Sequence, residues 1–361
     1  MLDLYTILVR AAQQALKNQK KDGSMPAGNN GPYLDQETPV RNTSHWLITL
    51  QKAYDLTGEE KYKQAAEQCL SYVLSEKARP MNATFWHRKN PNKDFSNGLM
   101  GQAWTLEALV TVFKKYGDEK IRKLAEEVFL LHPYSPASAG WKIVNVDGSI
   151  KDFDRTFNHQ LWFAAIGNEL AAFGNQEIQN QTSDFISKIQ NNLEIYPNGV
   201  IRHHPIGFQK TGAKQKLLSN YRELRKSKKL KEYTYSKSVG YHGFNLLALR
   251  IIADTTPDLN FFNEDKFKKT IQVLDSATFQ KELEASKYGY LYNPPGLELA
   301  NALEKFGDKK KVDFWLNTQM KKTFNFQRNI MGSENPFDKP TAGARIYEAC
   351  RLDNYPISID E

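Results

Sequence analysis

Apolar residues recur at three- and four-residue steps through residues 47–56, 61–74, 103–116, 121–130 and 161–173. That is the period of an α-helix with one buried face, whereas the alternation of a half-buried strand is rarely sustained in this chain. Glycine-bearing corners punctuate the pattern, as in LTGEEKY, KYGDEKI and KFGDKKKV, and each reads as the turn of a helical hairpin.

A second pattern is superimposed on the first. Six segments rich in polar, glycine or aromatic residues open apolar helices: 41–46, 96–102, 155–160, 238–243, 293–298 and 341–346. They recur at roughly 50 to 60 residues, with one longer interval of about 80, the scale on which stacked helical hairpins repeat. The expected fold is all-α, an (α/α)6 toroid formed by residues 1–361 as a single domain. Inner helices would be covered by outer ones, and the polar starts would gather at one mouth of the ring. Helix N-termini at that mouth favour bound anions. Trp46, Trp104, Trp162 and Tyr241 lie at or near these starts, where a sugar face can stack, although core packing accounts for any one of them taken alone.

Composition narrows the class. Hydrophobic residues make up 40% and charged residues 25%, which suits a globular chain and excludes a disordered one. Cys69 and Cys350 both fall inside amphipathic patterns and read as core thiols in a reducing compartment. Residues 1–21 carry Arg10, Lys17 and Lys20 and show no export signal, and no run of about 18 apolar residues appears, so a cytoplasmic location without a membrane span is expected. The net charge of +8 suits an acidic partner, but much of it is concentrated in residues 222–231, which read first as a solvated face. No nucleic-acid motif accompanies the charge, and the glycines form no phosphate loop or dinucleotide fingerprint. An anionic oligosaccharide or polysaccharide is therefore the expected partner, with no nucleic acid and no cofactor.

Two constellations carry candidate chemistry. Asn158 and His159 stand side by side before an apolar helix, where Asn158 also suits a cap. Tyr241 and His242 precede another, with Lys237 one helical turn before the phenol. A free phenol titrates near 10, so Tyr241 would need a nearby cation to act as a base at neutral pH, and Lys237 is the local one. Adjacent His203 and His204 have poor metal-ligand spacing and no supporting cysteine, so no metal is expected.

Asn158-His159 with Trp162 resembles the asparagine-histidine motif of alginate-lyase-like polysaccharide lyases, and residues 241–249 resemble the tyrosine-histidine helix of the same enzymes. The resemblance implies an (α/α) toroid acting on a uronate. Asn158 and His159 would neutralise its carboxylate, while Tyr241 would move the C5 proton and protonate the leaving oxygen. The arginine that these lyases carry two turns before the tyrosine is absent, since Thr234 stands there, which leaves Lys237 or Arg155 to serve. Segments 97–104 and 293–298 resemble, more loosely, the AglQ-type proteins of surface-glycan gene clusters.

Removing a proton beside a carboxylate requires charge stabilisation and a positioned base. Loss of the leaving group then gives β-elimination, and return of the proton to the opposite face gives C5-epimerisation. Elimination is the preferred expectation, on an oligosaccharide or in a biosynthetic setting. Asn158, His159, Tyr241 and His242 are the catalytic candidates; Arg41, His45, Trp46, Asn97, Trp104, Arg155, His204, Lys237, Tyr292 and Glu298 are the substrate-binding ones. A rival reading is a glycoside hydrolase, including an unsaturated-uronide hydrolase, which needs paired carboxylates. Asp35, Glu37, Asp152, Asp154 and Glu298 are available, with Glu298 and either Asp152 or Asp154 as the working pair. A carbohydrate-binding or assembly protein without catalysis is the third.

Overall fold

The computed structural model describes residues 2–205, 221 and 225–358. Among the described residues, the helices longer than one turn are α1 (Leu4–Leu16), α2 (Val40–Thr57), α3 (Glu60–Val73), α4 (Gly98–Tyr116), α5 (Glu119–Leu130), α6 (Phe157–Ala171) and α7 (Gln176–Ser187). After these come α8 (Lys228–Gly240), α9 (His242–Thr255), α10 (Asp265–Gln272), α11 (Ala277–Ala285), α12 (Pro295–Phe306), α13 (Lys310–Thr323) and α14 (Lys339–Ala344), which runs into a final 3-10 segment, Arg345–Arg351.

Helix α2 packs on α4, α4 on α6, α6 on α9, α9 on α12, α12 on the final 3-10 segment, and that segment on α2. Six inner elements thus close a ring, with α1 and α3 covering α2, α5 covering α4, α7 covering α6 and α13 covering α12: an (α/α)6 toroid. The division follows from sequence. Every residue of α4 from Gly98 to Val110 is buried, because the helix is covered on all sides. Outer α5 buries only Ile121, Ala125, Val128 and Phe129, one stripe at three- and four-residue steps. Inner-to-outer corners close at Gly58 and Gly117, whose φ angles of 68° and 67° suit residues without a Cβ.

Ring closure departs from the expected sixth hairpin. Segment 341–346 starts not a long inner helix but the short α14 and the 3-10 turn, in which Arg345 Nε donates to Glu348 Oε1 at 2.6 Å. Residues i and i+3 eclipse in 3-10 geometry, which brings this pair together. The outer partner comes from the other end of the chain. Helix α1 packs on the 3-10 segment, and β1 (Leu2–Asp3) pairs antiparallel with the last strand, β5 (Pro356–Ile357).

A three-stranded sheet also lies outside the helical expectation: β2 (Tyr134–Ser135), β3 (Gly140–Val144) and β4 (Ile150–Phe153), in that order. Its strands are too short for alternation to register. The Gln160 side chain fastens it to α6, accepting from Trp141 N and donating to the carbonyls of Trp141 and Asp154. That fixes residues 154–159 as they enter the ring. Within the basic stretch, residues 222–224 lie outside the described residues, and Lys228, Lys229 and Lys231 are exposed on α8. Among the described residues, no helix is long and apolar enough to cross a membrane.

Candidate active site

A cavity of about 680 Å³ opens where the inner helices begin, drawing on the starts of α4, α6, α9 and α12 and the first residue of the final 3-10 segment. Asn97, Trp104, Asn158, His159, His204, Lys237, Tyr241 and Tyr292, all singled out in the sequence, line it together. Arg88, Lys93 and Arg345 join Lys237 on the wall, and none of its described lining residues is an aspartate or glutamate.

Asp154 and His159 make the sharpest arrangement. His159 Nδ1 bonds Asp154 Oδ2 at 2.9 Å, so the imidazole donates there and presents Nε2 to the cavity. Asp154 is buried, accepting also from the backbone N–H groups of Thr156 (3.0 Å) and Leu99 (3.3 Å). Burial opposes its charge, but His159 and these donors hold the carboxyl below its ordinary value. Local sequence makes the approach possible: Asn97 and Gly98 enter α4 at φ 56° and 59°, and a Cβ on Gly98 would come within 2.7 Å of Asp154 Oδ2. Beside His159, the Asn158 amide is buried against the cavity, and neither its oxygen nor its nitrogen has a hydrogen-bond partner among the described residues.

Tyr241 caps the junction of α8 and α9, its hydroxyl 2.8 Å from that of Tyr33 and its ring 4.3 Å from that of His203. Burial and the neighbouring phenols Tyr33 and Tyr292 push its pKa well above 10. Lys237 does not offset this, so the surroundings favour the neutral phenol and suit Tyr241 to donating a proton better than to the activated base expected from sequence. His242 is corrected outright. It faces the packed layers, with Nδ1 accepting from Ile201 N at 3.1 Å and Nε2 donating to Thr270 O at 2.9 Å, and burial draws its pKa down to about 4.

Several binding candidates stand behind or away from the cavity. Arg41 is fully buried, its guanidinium 3.8 Å above the Trp104 ring, and bonds Glu37 (3.2 Å) and Asn30 Oδ1 (3.3 Å). It supports the wall from beneath. His45, equally buried, stacks on Tyr347 with centroids 4.1 Å apart. Trp46 faces a separate apolar pocket with Ala15, Met25, Ile330 and Met331, on the side of α2 against which α1 packs. Trp162 is core, stacked on Phe244 at 4.6 Å. Arg155 is exposed and outside the lining. Glu298 lies under Arg345, paired at 2.7 Å, and does not reach the cavity.

The carboxylate pair of the hydrolase reading is thereby separated. Asp152 is exposed on β4, Asp154 is occupied by His159, and Glu298 is sealed beneath a guanidinium. Asp35 and Glu37 are likewise engaged, with Lys93 and Arg88 on the first and Arg41 on the second.

Sequence reasoning missed Arg88 and Lys93 as lining residues, and the orienting role of Asp154. Arg88 and Lys93 lie in the loop after α3, where no periodicity marks them. Asp154 was legible as a carboxylate five residues before His159, a reach that only the bend between β4 and α6 provides. Among the described residues, no three His, Cys, Asp or Glu side chains gather as a metal site.

No family model matches the chain. Solved structures similar to it include a cellobiose 2-epimerase from Bacillus thermoamylovorans (TM-score 0.63, 11% identity, covering 94% of this chain and 95% of that one). An α-1,6-mannanase from a Salegentibacter species follows (TM-score 0.60, 11% identity, 97% and 98%), as does an unsaturated glucuronyl hydrolase specific for heparin (TM-score 0.58, 11% identity, 96% and 95%). At such identities the likeness shows the toroid alone. Among curated proteins, archaeal glycosylation protein Q from Haloferax volcanii is 41% identical over 378 aligned residues, covering all of both chains. That whole-length identity bears out the looser of the two resemblances read from segments 97–104 and 293–298: the chain belongs to the family of archaeal glycosylation protein Q.

Proposed function

We propose that this chain is a sugar-modifying enzyme of glycan assembly that moves a proton at a carbon beside the carboxylate of a uronate. The observation that carries this reading is His159, oriented by Asp154 and facing a cavity whose described lining holds cations, imidazoles and phenols but no carboxylate. Hydrolysis by paired carboxylates has no counterpart in such a wall. Proton transfer does. His159 Nε2 takes the C–H proton, and the electron pair passes to the sugar carboxylate as an enediolate. The free amide of Asn158 is placed to donate to that charge. Tyr241 then returns a proton to the carbon, and its oxygen recovers one through the hydroxyl of Tyr33.

Epimerisation is preferred here over elimination, reversing the order drawn from sequence. A relative named for glycosylation belongs to a process that builds a glycan, and an epimerase keeps the sugar that elimination would break. The test is incubation in deuterium oxide with uronate-bearing oligosaccharides. Solvent deuterium should enter at C5 with a change of configuration, and Tyr241→Phe should abolish the configurational change while sparing the fold. New ultraviolet absorbance from an unsaturated end would instead assign elimination. New reducing ends without deuterium uptake would end the proton-transfer reading.

A further inference from the structure

Four described cations line the cavity, and three are neutralised by the protein itself. Arg88 pairs with Asp94 and lies 3.7 Å from Asp35, Lys93 pairs with Asp35 at 2.9 Å, and Arg345 is held between Glu298 and Glu348. Lys237 differs. No carboxylate among the described residues pairs with it, and its ammonium stands over three phenol rings, 5.2 Å from the centroid of Tyr33, 5.5 Å from Tyr288 and 5.8 Å from Tyr241. A lysine on a helix normally extends its ammonium into water. This one is drawn inward against aromatic faces, where burial and nearby Lys287 press its pKa down to about 8.

A half-buried ammonium without a counter-ion costs folding energy unless something else gains from it. The helix turn fixes where the gain falls. Tyr241 N donates to Lys237 O at 3.1 Å, so the two side chains leave the same turn, and the ammonium is held beside the phenol that lines the reaction cavity. Aromatic faces attract the cation without neutralising it, which leaves its N–H donors for a ligand.

We propose that Lys237 is the residue that reads the substrate's negative charge: it pairs with the carboxylate of the bound uronate and so sets the sugar against Tyr241. This rests on the proton-transfer reading of the cavity, although its test does not require turnover. Arg345 is less suited to the role, because Nε, Nη1 and Nη2 each already donate, to Glu348, Asn293 and Glu298, and the two carboxylates offset its charge. Arg155, which sequence offers as the substitute cation, is exposed outside the lining.

The experiment is calorimetric binding of disaccharides ending in glucuronate, galacturonate or mannuronate, each compared with its methyl ester, in which the charge is removed and the ring kept. The unsubstituted protein should prefer the best-bound acid over its ester by about 10- to 100-fold, the range of a charge-assisted hydrogen bond. Lys237→Met should bind acid and ester equally, with the ester affinity unchanged, which also shows that the cavity is intact. Lys237→Arg should restore most of the preference. Inorganic phosphate competing with the acid as strongly as the uronate does would reassign the site to a phosphorylated sugar and overturn the carboxylate assignment. An acid preference that survives in Lys237→Met, or no preference across all three sugars, overturns the proposal. Should the preference follow Lys237 while no deuterium is exchanged, the proton-transfer reading fails and the charge-reading role stands.

Discussion

At the end of the ring where the inner helices stop, Arg351 bonds Glu107 at 2.9 Å and Glu169 at 3.1 Å, and Lys114 reaches Glu169 at 2.9 Å. At the mouth, where the helices begin, Lys237 has no carboxylate and both atoms of the Asn158 amide are unpartnered among the described residues. The pKa values differ in the same sense. Arg351 and Lys114 outweigh burial at Glu169 and bring it to about 2, whereas burial raises Glu37 and Glu348 at the mouth to about 7 despite Arg41 and Arg345. The deeper Glu107 is also pushed up by burial, with Arg351 opposing. One end uses its charges to hold α4, α6 and the last 3-10 segment together. The other keeps polar groups buried and incompletely satisfied, which is how a site meant for a ligand is built at the expense of stability.

The largest expected effect follows from removing the oriented imidazole. His159→Gln should lower turnover by about 10³-fold, within the range for a positioned general base, while changing unfolding free energy by less than about 1 kcal/mol. The side chain is partly exposed, and Asp154 keeps its two backbone donors. Steady-state rates beside a urea titration test this, and a large loss of stability with modest loss of turnover would make His159 a structural residue.

Arg351→Met should do the reverse. It leaves Glu107 without its cation and Glu169 with Lys114 alone, a loss of about 3 kcal/mol, with turnover per folded molecule within about twofold. The pH dependence has a definite sign. Glu169 is depressed in the folded state, so its contribution is present above its unfolded value near 4.5 and is lost as pH falls towards about 2, an effect on the order of 3 kcal/mol. Glu37 and Glu348 act oppositely: their burial penalty is absent below about 4.5 and grows as pH rises towards about 7. Urea midpoints from pH 2 to 7 should show both limbs, and Arg351→Met should flatten the acid limb through Glu169 while steepening the neutral one through Glu107, whose carboxyl Arg351 no longer holds down.

Much of this was legible because the ring depends on local periodicity. Inner and outer helices differ in how many faces are apolar, and five of six polar starts open inner helices where the repeat places them. The sixth was not legible as built, since α1 supplies its outer layer from the far end of the chain and no spacing records that closure. At the site, Asn158, His159 and Tyr241 were found because each directly precedes or opens an apolar helix. His242 was misread because adjacency to Tyr241 says nothing about direction: one residue along a helix is about 100° of rotation, enough to turn the ring from the cavity to Thr270. Asp154 was weighed as a hydrolytic acid because sequence shows a carboxylate but not its partner.

The smallest expected effect marks the edge of the mouth. Arg155 is next to Thr156, which lines the cavity, and sequence offered it as a carboxylate receptor, yet its side chain is exposed and outside the lining. An exposed charge acts on a bound anion only through water and salt, and at 0.1 M ionic strength its field is largely screened beyond about 10 Å. Arg155→Ala should therefore raise KM for a uronate substrate by less than about twofold, and that residue of effect should disappear when salt is raised to about 0.5 M. A direct ion pair would behave otherwise, since a desolvated contact is screened little. A rise of tenfold or more that persists at high salt would place Arg155 on the substrate. It would also move the boundary between the two kinds of charge outward, from the buried wall to the rim.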